Sequence, residues 1–505
     1  MSISTGIATS GSFATARQAG TDVFVAKLTL DLNTRLFGTY LGGNGDDNAY
    51  GVKVDSVGHI TVTGSTTSTN YPVTSTYDAF QLTLGGGTDA FITTIQPEGA
   101  VLMQSTYLGG VGDESGYRMA LSKKAYISPR PTPVPGQEYM YVDGIANITG
   151  STTSSSASFP VSNPLQGVIN GSSDAFTSSY SPYPKPITSY YITDVLPNTT
   201  MYPLGCQTGE RDAQYPGFRD SLIILDFGFP KFAFDPVNGV INAPGTKMFG
   251  GKMRFTYQIA SDIESFISGY LSCSPLSNNK LTIGIGTNNK GISTSSATNH
   301  GIAWANMLNS VDQWVSSGGF AQRITVNGAN DIELLWNSRE ITKQWVDGYF
   351  SRTTLSLINF GDVSGCPQTG NGTTNQTCDN GWTYDDIIYV SNGGVYGNNK
   401  GIALPEIYGN AGENANQWYQ ISLYAYNQSK VLTIYGSLTQ YKACIDHPFN
   451  SLGTYACINN GGLKDQPAEL GWRWLFDALK ADTRTRFAWL RWSSDIRWEY
   501  FQPGY

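Results

Sequence analysis

The sequence predicts a multidomain protein: an all-β N-terminal part of incomplete propeller-like blades, then a C-terminal α/β part read as a (β/α)8 TIM-like barrel. Three observations carry that expectation. Residues 1–180 repeat themselves in separated motifs, a Pro/Tyr-rich linker at 181–190 ends the repeats, and residues 191–505 alternate strand-like with helix-like segments. The 505 residues exceed the usual size of one domain, and all 11 Trp and all six Cys fall after the linker, a shift in composition that marks a separate unit.

In the first part, Thr21-Asp22-Val23-Phe24 returns as Thr88-Asp89-Ala90-Phe91, and Asp174-Ala175-Phe176 returns again. Thr39-Tyr40-Leu41-Gly42-Gly43 recurs 67 residues on as Thr106-Tyr107-Leu108-Gly109-Gly110, and Gly45-Asp46-Asp47 recurs at the same offset as Gly112-Asp113-Glu114. The run VTGSTTS ending at Ser68 reappears as ITGSTTS ending at Ser154, an offset of 86. The extra 19 residues fit an insertion around Lys123–Met140, whose SPRPTPVPG reads as an exposed polyproline-like loop. Between the motifs lie short β-prone runs, DVFVAKLTL, FGTYL, AYGVKVD and HITVTG, separated by turn compositions. Four strands in a unit of about 65 residues make a propeller blade the natural module.

These motifs resemble the SBBP-type β-propeller repeat, with its DAF start, TYLGGxGDD middle and VTGxTxS end. The resemblance covers residues 1–180 and implies a propeller. Two full units are present, flanked by half units, and a closed ring needs at least about four blades. The opening IATSGSFATARQAG reads like the end of a blade whose beginning is missing, so either the chain is trimmed from a longer one, the favoured reading, or its open edges pair with another copy. Asp46-Asp47 and Asp113-Glu114 offer carboxylates to calcium, but the ligand spacing of a calcium loop is absent and they are read as turn residues. This half is expected to be a spacer or an interaction surface.

In the second part the expected strands are Ser221–Asp226, Leu281–Ile285, the acidic strand beginning at Ile324, Thr354–Phe360, Ile387–Val390, Gly401–Tyr408, Val431–Tyr435 and Arg486–Leu490. Helical spacing falls between most of them, at Ile259–Tyr270, Gly301–Val315, Ser338–Asp347, from Asn414 to about Tyr426, and at Ala468–Leu479. Eight strands with intervening helices suit a barrel; the Gly/Asn-rich Val390–Gly401 connection, with no helix, leaves a large doubly wound sheet as the alternative.

Composition narrows the function. The net charge of −8 excludes nucleic acid as the main partner, and no run of about 18 apolar residues predicts a membrane span. No secretion signal is visible. With three His and no CxxC, no metal site and no cofactor are expected. Six cysteines allow fifteen pairings; chain proximity suggests Cys366–Cys378 and Cys444–Cys457, leaving Cys206–Cys273, in an oxidising, extracellular or cell-surface setting.

The chemistry centres on Ile324–Trp336, ITVNGANDIELLW. On a strand, Asp331 and Glu333 share a face, and paired carboxylates at a strand end are a candidate acid/base pair. Other candidates at strand C-termini are Asp226 and Glu406, with Asn359, Gln440 and Tyr441 as polar contacts and Trp336, Tyr408 and Trp498 as rings able to stack on sugars. The order LDFG, NDIE, PEIYGN…NQW resembles family 25 glycoside hydrolases and related glycoside-hydrolase-like barrels, which cleave peptidoglycan. The resemblance implies Glu333 as proton donor, with Asp331 and Asp226 stabilising positive charge or positioning the substrate. A carbohydrate-active hydrolase is therefore the leading expectation. A non-catalytic surface or adhesion protein that binds carbohydrate is the alternative, and self-assembly through the open blades into a filament or surface layer is a third.

Overall fold

The computed structural model describes residues 6–74, 79–127, 139–155, 158–159, 166, 168–194, 200–213, 220–275, 279–407, 412–446, 458–459, 462–463, 466–486 and 490–499. The described residues fall into two compact units, one up to residue 185 and the other from residue 186 onward.

The named strands of the first unit all pair antiparallel. Its strands are β1 (Val23–Leu28), β2 (Arg35–Leu41), β3 (Asp47–Val54), β4 (Ile60–Thr66), β5 (Asp89–Ile95), β6 (Leu102–Leu108), β7 (Glu114–Ile127), β8 (Tyr139–Thr152) and β9 (Asp174–Tyr180). They form three sheets, β1-β2, β3-β4-β5-β6 and β7-β8-β9. Each sheet boundary cuts the sequence repeat in half: the four-stranded sheet joins the last two strands of one repeat to the first two of the next.

The repeated motifs make the same hydrogen bonds each time. Asp47 and Glu114 accept from the backbone N–H of Gly43 and Gly110, four residues back. Ser68 and Ser154 hydroxyls accept from Gly45 and Gly112, and Thr67 and Thr153 hydroxyls from Asp46 and Asp113. The DxF aspartates Asp22, Asp89 and Asp174 each accept from the N–H four residues earlier. The motif carboxylates thus serve as acceptors that fix turns between strands. Gly42 and Gly109 are needed because a Cβ there would strike the paired carboxyls Asp22/Asp47 and Asp89/Glu114.

The second unit is a parallel barrel. Its wall strands, in chain order, are β10 (Ile187–Tyr191), β11 (Asp220–Asp226), β15 (Lys280–Asn288), β16 (Ile324–Asp331), β17 (Leu357–Asn359), β18 (Gly401–Ala403), β19 (Gly436–Thr439) and β22 (Trp492–Trp498), and they neighbour one another in that order with β22 returning to β10. The ring is completed between β18 and β19 by parallel bridges Ala403–Ile434 and Glu406–Leu438, with Ile407 N–H donating to Leu438 and Leu438 N–H to Pro405. Helices α1 (Met201–Ala213), α2 (Thr256–Cys273), α3 (Thr294–Ser317), α4 (Arg339–Phe350), α5 (Tyr384–Asn392) and α6 (Glu413–Asn427) follow successive wall strands, and α7 (Tyr441–Asp446) and α8 (Ala468–Lys480) precede the last. A small antiparallel sheet, β12 (Phe229–Asp235), β13 (Val240–Lys247) and β14 (Met253–Phe255), is inserted after β11, and a two-stranded ribbon, β20 (Ile458–Asn459) and β21 (Gly462–Leu463), precedes α8.

Three of the expected strands are corrected and one is added. Ile187–Tyr191, which begins inside the expected linker and ends at the first residue of the expected barrel, is the first wall strand. Ile387–Val390 lies inside α5, because Thr383 and Asp386 form a capping box that starts a helix and outweighs the β-branched run. That helix supplies the connection into β18 for which the sequence predicts none. The seventh strand is Gly436–Thr439 rather than Val431–Tyr435, and the last is Trp492–Trp498 rather than Arg486–Leu490.

Disulfides Cys206–Cys273 and Cys366–Cys378 are formed, and Cys444 is disulfide-bonded; Cys457 lies outside the described residues. The first ties α1 to α2, where Gly205 lies so near the Phe266 carbonyl, and Gly269 so near the Tyr202 carbonyl, that no Cβ fits. We expect Gly205→Ala to lower barrel stability by about 1–3 kcal/mol, as overpacking does, measured by chemical unfolding followed through tryptophan fluorescence. No helix among the described residues is long and apolar enough to cross a membrane.

Candidate active site

Side chains alternate along each strand, and the interior set is fixed by contact: Gly284 of β15 faces Ile224 of β11, Ala329 of β16 and Ile358 of β17. Counting on in steps of two, Asp226, Asn288 and Asp331 point into the barrel at the C-terminal ends of their strands. Glu406 just past β18 and Gln440 just past β19 join them, and so does Tyr191 at the end of β10, to whose hydroxyl Gln440 Nε2 donates at 3.0 Å while also donating to Glu406 Oε1 at 3.0 Å.

The carboxylates meet. Oxygens of Asp331, Glu333 and Glu406 all lie within 4.8 Å of one another. Asp226 and Asp331 are buried, at 0% and 2% exposure, and Glu406 is fully enclosed, whereas Glu333 keeps contact with solvent. Asp226 Oδ1 accepts from the Gly228 N–H, while Asp226 Oδ2 and Asp331 Oδ1 are buried without a hydrogen-bond partner. Such a spacing of oxygens is also one a hard cation takes.

Burial and mutual repulsion set the protonation. Burial pushes Asp226 up to about 7. Asp331 is held well above the ordinary carboxylate range by burial first, then by Glu406, Glu333 and Asp226. Tyr191 is likewise raised, by burial and then by the same four carboxylates, which places its phenol in their midst. Carboxyls crowded and buried in this way hold protons more tightly than isolated ones.

The loop after β16 holds Glu333 from its backbone. Asn289 Oδ1 accepts from the Glu333 N–H at 3.3 Å, and Asn289 Nδ2 donates to the Glu333 carbonyl at 3.1 Å and to Thr342 Oγ1 at 3.2 Å. Asn337 donates to the carbonyls of Asn289 and Ile292, and Trp382 Nε1 donates to the Asn337 carbonyl. The fixed loop keeps the acidic side chain beside Asp331.

Aromatic rings line the same rim. Tyr191 packs against Trp498 and Phe249 with ring centroids 4.8 and 5.1 Å apart, and Phe249 reaches Phe229 at 5.4 Å. Lys290 Nζ lies 5.0 Å above Trp336 and 5.7 Å from the Phe229 ring.

Of the sequence candidates, Asp226, Asp331, Glu333, Glu406, Gln440, Trp336 and Trp498 are brought to this end of the barrel. Asn359 is not: Ile358 takes the interior position, so Asn359 faces outward and its Nδ2 donates to Ser391 of α5. Tyr441 is also elsewhere, buried at the start of α7 near Asp495 and Glu469, which help raise its phenol to about 12 after burial. Tyr408 lies outside the described residues. Tyr191, Asn288, Asn289 and Phe249 were missed; Tyr191 sits on the overlooked strand, and a lone Asn carries no sequence signal. A cavity of about 390 Å³ opens at the opposite end of the barrel, lined by Thr282, Thr325, Asn327, Lys400, Tyr435 and Arg491 among others. No carboxylate lines it, so it offers no acid/base pair.

No protein-family model matches the chain, and no curated protein matches its sequence.

Proposed function

We propose that the barrel is a glycoside hydrolase acting on cell-wall or other extracellular polysaccharide, in a secreted or cell-surface protein whose N-terminal sheets are propeller-type blades serving as spacer or binding surface. The observation that carries this reading is the meeting of Asp331, Glu333 and Glu406 within 4.8 Å at the C-terminal mouth of the barrel, with Asp226 beside them. Barrel enzymes assemble their chemistry at that face.

Glu333 is the member that reaches solvent, so it is the one that meets the glycosidic oxygen and gives it a proton. Asp331, which burial and crowding keep inclined to hold a proton, can pass one to Glu333 as it spends its own. The carboxylates that stay ionised favour an oxocarbenium-like transition state, and a water then adds to the anomeric carbon as the glycosidic bond breaks, its proton returning to the cluster. Gln440 orients Glu406, and Trp498 and Trp336 offer ring faces to the sugars, with the buried Tyr191 packed behind Trp498. Two disulfides suit an oxidising compartment.

The test is incubation of the full chain with a panel of peptidoglycans and polysaccharides, reading reducing ends and fragment masses. New reducing ends are expected from at least one glycan; none from any would rule against a hydrolase. Trp336→Ala is expected to weaken glycan binding by up to about tenfold, the worth of one aromatic contact, by isothermal titration. In the first unit, β1 pairs only with β2 and β9 only with β8 among the described residues. Open edges invite pairing, so light scattering is expected to show association that grows with concentration; a strict monomer at high concentration excludes it.

A further inference from the structure

The acid count at the mouth exceeds what a proton donor and one partner require. Four carboxyl groups converge, and among the described residues neither Asp226 nor Asp331 makes an ion pair. Asp226 Oδ2 and Asp331 Oδ1, on side chains at 0% and 2% exposure, have no hydrogen-bond partner and sit on the interior face. A buried oxygen in that condition is costly unless a proton or a cation meets it. The rim shows which kind of cation its rings accept. The Lys290 ammonium lies over Trp336 and Phe229, so an alkylammonium is already held against aromatic faces at this end of the barrel.

We propose that the site selects a polysaccharide bearing free amino groups, a deacetylated hexosamine polymer, whose ammonium docks against Glu333 with Asp331 behind it. This rests on the glycan-directed reading above and names its substrate class. A uronic acid chain would bring a like charge to the cluster, and an N-acetyl group would bring a neutral amide with no charge to offer the carboxylates. An ammonium supplies three donors and the opposite charge. Its arrival favours the charged form of the carboxyls, so binding releases protons that the crowded acids otherwise keep.

The experiment is isothermal titration of the full chain with oligomers of glucosamine and of galactosamine, their fully N-acetylated counterparts and oligouronates. It is run at one ionic strength in two buffers of different ionisation heat, so that proton release is read directly. Amino oligomers are expected to bind at least about tenfold tighter than N-acetylated ones, a difference of about 1.4 kcal/mol, with net proton release, while oligouronates do not bind. Asp331→Asn and Glu333→Gln are each expected to abolish the preference, which separates docking at the mouth from general attraction to a chain of net charge −8. Equal or tighter binding of N-acetylated oligomers overturns the inference. So does a preference that survives both substitutions, or displacement of the oligomer by calcium or magnesium binding more tightly at the same carboxylates. The two readings fail separately: cleavage of neutral glycans without an amino preference removes only this inference. Amino-oligomer binding with proton release but no cleavage of any glycan removes only the hydrolase.

Discussion

Glu333→Gln is expected to lower kcat on a cleaved glycan by about 10²–10⁴-fold while leaving KM within a few-fold, the signature of a lost proton donor. Expressed as a barrier, that is roughly 3–5 kcal/mol. The substitution keeps the shape, and it leaves in place the bonds by which Asn289 holds the Glu333 backbone. Circular dichroism and unfolding midpoints should therefore match wild type. Asp331→Asn removes a carboxyl that burial and its neighbours push well above the ordinary range, so it should cost less in kcat and shift the pH–rate profile instead. Wild-type activity in Glu333→Gln would leave the cluster as scaffold.

The second large effect is on stability. Burial raises Asp226 from 3.8 to about 7. A carboxyl raised in the native state binds its proton more tightly there than in the unfolded chain. Its contribution is therefore complete below about pH 4 and is lost as pH rises through about 7. The gap corresponds to on the order of 4 kcal/mol in all, of which roughly 3 falls between about pH 5 and pH 8. Asp495, also raised to about 7 chiefly by burial, slopes the same way. Every tryptophan lies after residue 185, so tryptophan fluorescence reports the barrel alone. Chemical unfolding should show the barrel losing stability from pH 5 to pH 8, and Asp226→Asn, which can still accept from the Gly228 N–H, should flatten that slope and stabilise the barrel at pH 8. A wild-type slope of the opposite sign would contradict the burial argument.

What the sequence disclosed follows from how barrels are built. Strands enclosed on both faces read as apolar runs, and SLIILD and LTIGI announced β11 and β15 with the acid of β11 at its end. Asp331 and Glu333 were legible because a polar pair closing such a run is out of place in a core. The strand ITSYY was overlooked because it is polar. Its Ser189 hydroxyl is buried against Ser494 of β22, a satisfied pair visible only in three dimensions. β22 was misplaced for the same reason, since Ser493, Ser494 and Asp495 occupy its middle.

Parity decided the polar candidates. A displacement of one residue turned Asn359 toward α5, and Tyr441 heads α7 beyond the strand end instead of lining the mouth. In the first unit the repeat itself was plain, but its phase was not. Self-similarity gives the period, whereas the strand pairing that sets sheet boundaries two strands out of step is not written in the motif.

The most direct test of the crowded acid cluster is a titration of ¹³C-carboxyl-labelled aspartates in wild type, with Asp331→Asn and Asp226→Asn assigning the two signals. Asp331 should titrate well above the ordinary carboxylate range and Asp226 near 7. Both titrating in the ordinary range near 4 would mean that these carboxyls neither crowd nor lie dry, and the proposed chemistry would lose its basis.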